Sequence, residues 1–182
     1  MTKIHDISTH EITFNDAFLF DTNVWMFLFC PIGNYKPQKQ KKYSSFFDKL
    51  VRNKGTIFIN SLILSEFSNA YLRLDYNLWK DKPENRTQQL DYKRDFTKTQ
   101  QFKETVGEVK IALKNILKIT QRCNDDFSSI NFDKILTNFG NTDFNDSYYL
   151  EKAQRNKWKV VTDDADYFNV SSNIEIITAN IR

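Results

Sequence analysis

The sequence predicts an α/β fold in which helices cover both faces of a parallel β-sheet. Short apolar runs such as "AFLFD" and "KVVT" have the length of buried strands. Amphipathic helical patterns separate these runs, and strands that alternate with helices are typical of a parallel sheet. The 182 residues are 40% hydrophobic, which suits one sizeable core. We therefore expect a single domain over residues 1–182.

The composition of the chain indicates the cellular compartment in which the protein is expected. Cys30 and Cys123 lie far apart and fit no metal or redox spacing, which indicates a reducing compartment. The N-terminus has no continuous apolar segment, and no later segment is long enough to cross a bilayer. We therefore expect a cytoplasmic protein without a membrane partner. The net charge of +3 is too small to diagnose a nucleic-acid partner.

The first half of the chain predicts two strands and three helices. "AFLFD" is the first strand, and after a turn "NVWMFLFC" continues as a helix. A basic helix over 39–51 would present Phe46, Phe47 and Leu50 to the core, and Gly55 introduces the second strand, "TIFIN". The next helix, "SLILSEFSNAYLRLDYNLW", keeps these residues on one apolar face: Ile63, Phe67, Tyr71, Leu74 and Leu78.

The second half predicts a loop, three more helices and two more strands. Residues 80–97 are polar and read as a loop, and residues 99–123 carry a strong helical pattern. A short helix over 132–139 ends at Gly140, and a further helix covers 143–155. The strand "KVVT", the turn "DDAD" and the strand "IEIIT" complete the pattern.

Carboxylates occur in four segments that this topology brings toward one edge of the sheet. Open α/β sheets bind their ligands outside the carboxyl ends of the strands. The residues are Asp21 at the end of the first strand, Glu66 beside an apolar helix face, Asp143 and Asp146 at the start of the last helix, and Asp163, Asp164 and Asp166 after "KVVT". We expect the four segments to share one site.

A shared acidic site points to a divalent cation. Like charges repel and raise one another's pKa, and a bound cation removes that cost. Mg²⁺ and Mn²⁺ prefer oxygen ligands, and the lack of His or Cys in these four segments argues against zinc. Such an ion can activate water for phosphodiester hydrolysis, so no nucleophilic side chain is required.

Each carboxylate also has a purely structural interpretation, which the sequence leaves open. These alternatives are an N-cap for Asp21, an ion pair with Arg73 for Glu66, a capping box for Asp143 and Asp146, and Asx-turns for Asp163 and Asp166. Asp21 is the hardest to explain in this way, because a carboxylate between a buried strand and a helix needs a partner.

Three motifs, in order, resemble the PIN domain family. They are "FDTNV", "LSEF" and "NDSYYLEKAQRNKWKVVTDDADYF". The resemblance implies a three-layer α/β/α nuclease with a central parallel sheet that uses Mg²⁺ or Mn²⁺, mostly on RNA. Many members are toxins of bacterial toxin–antitoxin pairs. Residues 74–139 carry no motif that aligns with the family, so we expect a helical elaboration at about 75–140.

The resemblance assigns roles to individual residues. The catalytic positions of the family fall on Asp21, Glu66, Asp146 and Asp164, and the metal would be held by Asp21, Asp146 and Asp164. The supporting positions fall on Thr22, Asn23, Asp143, Asp163 and Asp166. The chain departs from the common ending of the toxins, because Asp166 lies one position early and Tyr167 stands where the family has Asp.

A basic segment offers candidate contacts to the substrate. Residues 36–54 hold seven basic residues and one acidic residue, together with Tyr43, and Tyr35 precedes them. This composition suits phosphate contact and base stacking on single-stranded nucleic acid, and a solvated helix face is the alternative. The candidates are Lys39, Lys41, Lys42 and Arg52.

Together these observations predict a metal-dependent endoribonuclease. One alternative is a PIN-like module that binds RNA or protein without cutting. Another is an aspartyl-phosphate phosphatase, which needs a second Asp where this chain has Asn23. Candidate partners are RNA, single-stranded or structured, an antitoxin protein and a second copy of the chain.

Overall fold

A computed structural model describes residues 2–32, 36–170 and 172–181. Within these residues, six strands form one parallel sheet in the order β1-β6-β5-β2-β3-β4. The strands are β1 (Lys3–Asp6), β2 (Ala17–Phe20), β3 (Thr56–Ile59), β4 (Gln121–Arg122), β5 (Lys159–Val161) and β6 (Glu175–Thr178). The parallel sheet that the sequence predicts is confirmed.

Helices connect these strands. They are α1 (Thr22–Phe29), α2 (Pro37–Arg52), α3 (Ser61–Lys80), α4 (Gln100–Ile119), α5 (Phe132–Asn138) and α6 (Phe144–Asn156). Among the described residues, 3₁₀ turns occur at Phe96–Lys98, just before α4, and at Asp166–Asn169, between β5 and β6. Pro37 stands at the start of α2, where its missing N–H costs the helix nothing.

The core lies on both faces of the central strand β2. Phe18, Leu19 and Phe20 are all buried, although neighbouring side chains of a strand point to opposite faces. The rings of Phe18 and Phe20 lie 5.8 and 6.4 Å from that of Phe46 on α2. Helix α6 packs against β2 and β5. The fold is therefore the expected three-layer α/β/α arrangement.

Two strands of the sheet are absent from the sequence prediction. β1 and β4 are the edge strands, and the first has the polar sequence "KIHD" and the second is the exposed pair "QR". Edge strands expose much of their surface, so they carry no apolar run that identifies them. For the same reason, the helix predicted over 99–123 is too long at its C-terminal end. In the structure α4 ends at Ile119, and residues 121–122 form β4.

The two longest helices, α3 and α4, pack against each other through a polar contact. Asp75 is buried and accepts hydrogen bonds of 2.6 Å from Gln101 Nε2 and from Thr105 Oγ1. Leu78, expected in the apolar face near the end of α3, is 37% exposed. No helix in the described residues is long and apolar enough to span a membrane.

Candidate metal centre

The site begins where the adjacent strands β2 and β5 end. Phe20 pairs with Val161, so the next residues, Asp21 and Thr162, follow the two strands at the same edge. The Asp21 N–H donates to the Val161 carbonyl at 3.0 Å, and Thr162 Oγ1 donates to Asp21 Oδ2 at 2.6 Å. The chain leaves β2 toward β3 on one side and returns to β5 on the other, which makes this edge a topological switch point.

Asp21 occupies the N-cap position of α1, but its side chain makes no cap hydrogen bond. It is 6% exposed, and its Oδ2 also accepts a hydrogen bond of 2.6 Å from Asn23 Nδ2. Burial raises the pKa of Asp21 to about 7; the Thr162 hydrogen bond opposes this shift, and the charge of Glu66 adds to it. Helix capping therefore does not explain this carboxylate.

Asp146 is a second buried carboxylate, in the first turn of α6. Its N–H donates to Asp143 Oδ1 at 2.8 Å, so Asp143 is the N-cap of the helix. The hydroxyl of Tyr167 donates to Asp146 Oδ1 at 2.7 Å. Burial, and then the charge of Asp21, raise the pKa of Asp146 to about 8, against the effect of the Tyr167 hydrogen bond. The two buried carboxylates thus repel each other.

Glu66 faces the same space from α3. Its Oε2 accepts a hydrogen bond of 2.9 Å from the hydroxyl of Tyr149 on α6. Among the described residues no ion pair joins Glu66 to Arg73, the partner that the structural interpretation requires. The guanidinium of Arg73 instead lies over the ring of Tyr92, with Cζ 4.8 Å from the ring centroid.

The three aspartates after β5 have different surroundings. Asp164 borders the site, and its N–H donates to Thr162 Oγ1 at 3.0 Å. Asp163 Oδ1 forms an ion pair of 2.6 Å with Lys39 on α2. Asp166 is exposed and opens a 3₁₀ turn, where its N–H donates to Asp164 Oδ1 at 2.9 Å. Only Asp164 of the three lines the cleft formed by the described residues.

These side chains line one cleft of about 380 Å³. Its walls consist of Asp21, Thr22, Asn23, Met26, Glu66, Ala70, Arg73, Leu74, Asn77, Asp143, Asp146 and Asp164. The buried Thr22 Oγ1 has no hydrogen-bond partner among the described residues. The cleft therefore collects all four carboxylates that the sequence assigns to catalysis, together with an unpartnered hydroxyl oxygen.

The donor set suits a hydrated divalent cation. Within the part of the chain that the structure describes, no three acidic, histidine or cysteine side chains are arranged to enclose an ion. Mg²⁺ commonly keeps several waters and binds through one or two carboxylates. Asp21 and Asp146 provide such a pair, and a cation beside them would offset the charges of neighbouring carboxylates, which add to the effect of burial on both pKa values.

The residues predicted to contact the substrate lie elsewhere. Lys39 is paired with Asp163, and Lys41 and Lys42 line a separate cavity of about 450 Å³ beside α2. Arg52 is exposed at the last position of α2. Tyr35 falls outside the described residues. None of the four predicted basic contacts lines the acidic cleft of the described residues, and their role stays a prediction.

The sequence interpretation missed three residues that hold the carboxylates in place: Thr162, Tyr149 and Tyr167. Thr162 directly follows β5, so the strand register could have identified it as the neighbour of Asp21. Tyr149 lies three residues after Asp146, on nearly the same side of α6. The Tyr167 contact joins residues 21 positions apart and has no local sequence signal.

Comparisons with known proteins agree with the family resemblance seen in the sequence. The PIN domain family matches residues 18–173, which include all four catalytic candidates. Among solved structures, the chain is similar to one described as "Crystal structure of VapBC2 from Rickettsia felis bound to a DNA fragment from their promoter". The identity is 14%, the alignment covers 88% of this chain and 98% of that one, and the TM-score is 0.47. Curated proteins gave no match. On the extent of the family match, the chain belongs to the PIN domain family.

Proposed function

We propose that the protein is a metal-dependent endoribonuclease that hydrolyses RNA phosphodiester bonds. The observation that carries this proposal is the pair of buried carboxylates, Asp21 and Asp146, which line one cleft and have pKa values raised by burial and by neighbouring carboxylates. A cation would offset their repulsion, and phosphodiester hydrolysis is chemistry that a cation in an acidic cleft supports. Membership of the PIN domain family, whose members are typically nucleases, agrees with this activity.

In this proposal Asp21 and Asp146 bind Mg²⁺ or Mn²⁺ directly, and Asp164, which lines the same cleft, contacts the ion through one of its waters. Such an ion supplies a water of lowered pKa and stabilises charge on the leaving oxygen. Thr162 and Asn23 fix the orientation of Asp21 through its Oδ2 atom. Each of these donors favours the ionised carboxylate, which is the form that binds a cation.

Glu66 has a different role in the proposed reaction. Tyr149 holds its Oε2 atom, and the side chain faces the cleft beside Asp21. From this position Glu66 orients the attacking water and accepts its proton. Asp143 is the N-cap of α6, and its side chain accepts the N–H of Asp146, which fixes the first turn that carries Asp146. We place the reaction in the cytoplasm, with an antitoxin protein and a second copy of the chain as partners to be tested.

The first prediction tests the metal site. Asp21→Asn and Asp146→Asn each remove a ligand charge while preserving shape, so cleavage of a labelled RNA in Mg²⁺ or Mn²⁺ should fall by about 100-fold or more. Asp48→Asn makes the same change at an exposed position of α2 and should cleave at the wild-type rate. Circular dichroism checks that each variant is folded.

Other results would favour the other interpretations. If Asp146→Asn cut RNA at the wild-type rate, the metal assignment would be wrong. Mn²⁺ binding without cleavage of any RNA would indicate a non-catalytic binding module. A phosphoaspartate trapped on Asp21 would instead indicate a phosphatase.

A further inference from the structure

The acidic cleft poses a problem for a nucleic-acid substrate. Five carboxylates line it: Asp21, Glu66, Asp143, Asp146 and Asp164. An RNA strand carries a negative charge at each phosphate, and a bound ion offsets only part of the repulsion. Among residues 2–32, 36–170 and 172–181, the basic residue that lines this cleft is Arg73.

Arg73 lies on the wall that α3 contributes. Glu66, Ala70, Arg73 and Asn77 are three or four residues apart and form one stripe along this helix, and Leu74 lies beside it, four residues after Ala70. At 1.5 Å per residue, Arg73 is about 10 Å along the helix axis from Glu66. A phosphate bound by Arg73 would therefore lie beside the proposed metal site rather than in it.

The guanidinium of Arg73 is held in place without being neutralised. No ion pair between Arg73 and a carboxylate is present among the described residues, and its Cζ lies 4.8 Å from the Tyr92 ring centroid. Contact with a ring face leaves the N–H groups in the guanidinium plane free to bind a phosphate in a bidentate manner.

Tyr92, in the loop between α3 and α4, is itself part of an aromatic cluster with Tyr76 of α3 and Phe96. Its ring lies 5.3 Å from that of Tyr76 and 5.7 Å from that of Phe96, which is fully buried. Aromatic contacts of this kind restrict ring motion. The loop thereby places the ring of Tyr92 against the guanidinium of Arg73.

We propose that Arg73, supported by the face of Tyr92, binds an RNA phosphodiester adjacent to the scissile one and so fixes the position of the strand in the cleft. The inference rests on the proposed nuclease function and adds a binding residue to it. It also gives residues 81–99 a role, because this loop holds Tyr92 against Arg73. Tyr92 is a positioning residue in this arrangement, since it acts through the arginine.

The test measures RNA binding separately from cleavage. A fluorescent single-stranded RNA is titrated with Asp146→Asn protein, which holds the substrate uncut, at several salt concentrations. Adding Arg73→Gln should weaken binding by about tenfold or more and reduce the slope of log K against log salt by about 0.7, the value for one phosphate contact. Arg86→Gln removes the same charge from an exposed site outside the cleft and should change neither quantity.

Variants of Tyr92 test whether its ring face holds the guanidinium of Arg73 in position. Tyr92→Phe keeps the ring face and should bind RNA like its parent, whereas Tyr92→Leu should weaken binding while circular dichroism shows a folded protein. In protein with an intact metal site, Arg73→Gln should raise KM more than it lowers kcat, because the contact is present before and during the reaction.

The outcomes distinguish this inference from the nuclease proposal. If the protein cuts RNA but Arg73→Gln leaves affinity and salt slope unchanged, the inference is wrong and the nuclease function stands. If RNA binding depends on Arg73 but no cleavage occurs, the nuclease function fails and the subsite stands. Two further results would overturn the inference about Arg73. One is failure of the Asp146→Asn protein to bind RNA, and the other is equal RNA binding by the Tyr92→Leu and Tyr92→Phe variants.

Discussion

Two tyrosine hydroxyls hold carboxylates of the acidic cleft. Tyr167 donates to Asp146 at 2.7 Å and Tyr149 donates to Glu66 at 2.9 Å. Each bond fixes one oxygen of its carboxylate and restricts the rotation of the side chain. Groups that orient metal ligands in this way commonly affect metal affinity almost as strongly as the ligands themselves.

The second prediction concerns Tyr167. Tyr167→Phe removes the hydroxyl and keeps the buried ring, so Asp146 loses its donor while the core stays filled. We expect Mn²⁺ affinity, measured by isothermal titration calorimetry, to fall about 10- to 100-fold. Tyr148→Phe removes a hydroxyl that bonds to the Asp125 carbonyl, away from the cleft, and should bind Mn²⁺ like the wild type. Equal Mn²⁺ affinity in both variants would contradict a role for Tyr167.

At the residue scale, the meeting of the acidic residues and the contact of Asn23 with Asp21 could be predicted, whereas the contacts from Tyr149 and Tyr167 could not. Asp21 and Asp164 follow parallel strands, so the edge that they share follows from topology. The pairing of Lys39 with Asp163 spans 124 positions, and it depends on how α2 packs onto the sheet. A single sequence contains no local pattern for a contact of that kind.

At the scale of elements, α2 joins the ends of β5 and β6 through Tyr43. The hydroxyl of this buried residue lies 2.9 Å from the Thr162 carbonyl oxygen and accepts the N–H of Ala179 at 3.1 Å. Lys39, one turn earlier, pairs with Asp163. The helix that the sequence presents as a basic surface therefore also fixes the turn that carries Asp164.

The third prediction measures this link. Tyr43→Phe leaves the Thr162 carbonyl and the Ala179 N–H without their partner, and burial makes such losses costly. We expect the free energy of unfolding in urea to fall by about 1–3 kcal/mol. Ser45→Ala, at an exposed position of the same helix, should leave stability within about 0.5 kcal/mol of the wild type. Wild-type stability of Tyr43→Phe would show that the link contributes little.

Elements with a buried apolar face could be predicted, and elements without one could not. The pattern of α2 places Phe46 and Leu50 in the core, as the structure confirms. In α4, Leu117 is 37% exposed, whereas the polar Thr105 is 4% exposed and donates to Asp75. Hydrophobic periodicity assumes that the apolar face is the buried one, and the polar contact between α3 and α4 departs from that assumption.

At the scale of the whole molecule, buried acidic groups make stability depend on pH. The pKa of Asp21 is raised to about 7 and that of Asp146 to about 8, both mainly by burial, from an ordinary value of 3.8. Between the ordinary and raised values the folded protein binds more protons than the unfolded chain. The free energy of unfolding must therefore fall as pH rises through this window.

The fourth prediction follows from this decrease in the free energy of unfolding with rising pH. In metal-free protein, urea unfolding should show lower stability at pH 8.5 than at pH 5, and Asp146→Asn should reduce the difference by on the order of 1 kcal/mol or more. Asp48→Asn should keep the wild-type dependence, because Asp48 is exposed. Adding Mn²⁺ at pH 8.5 should stabilise the wild type. The same dependence in the wild type and Asp146→Asn would mean that Asp146 is not the titrating group.

The position of β2 between β3 and β5 has a consequence for synthesis of the protein. β3 is the next strand after β2 in the sequence, but Thr162, which follows β5, lies 141 positions after Asp21. A ribosome must therefore complete most of the polypeptide before Asp21 gains the hydrogen bond that orients it, and Asp146 and Asp164 also emerge late. If the protein is the proposed nuclease, this order of emergence would keep the unfinished chain from cutting RNA while it is still on the ribosome.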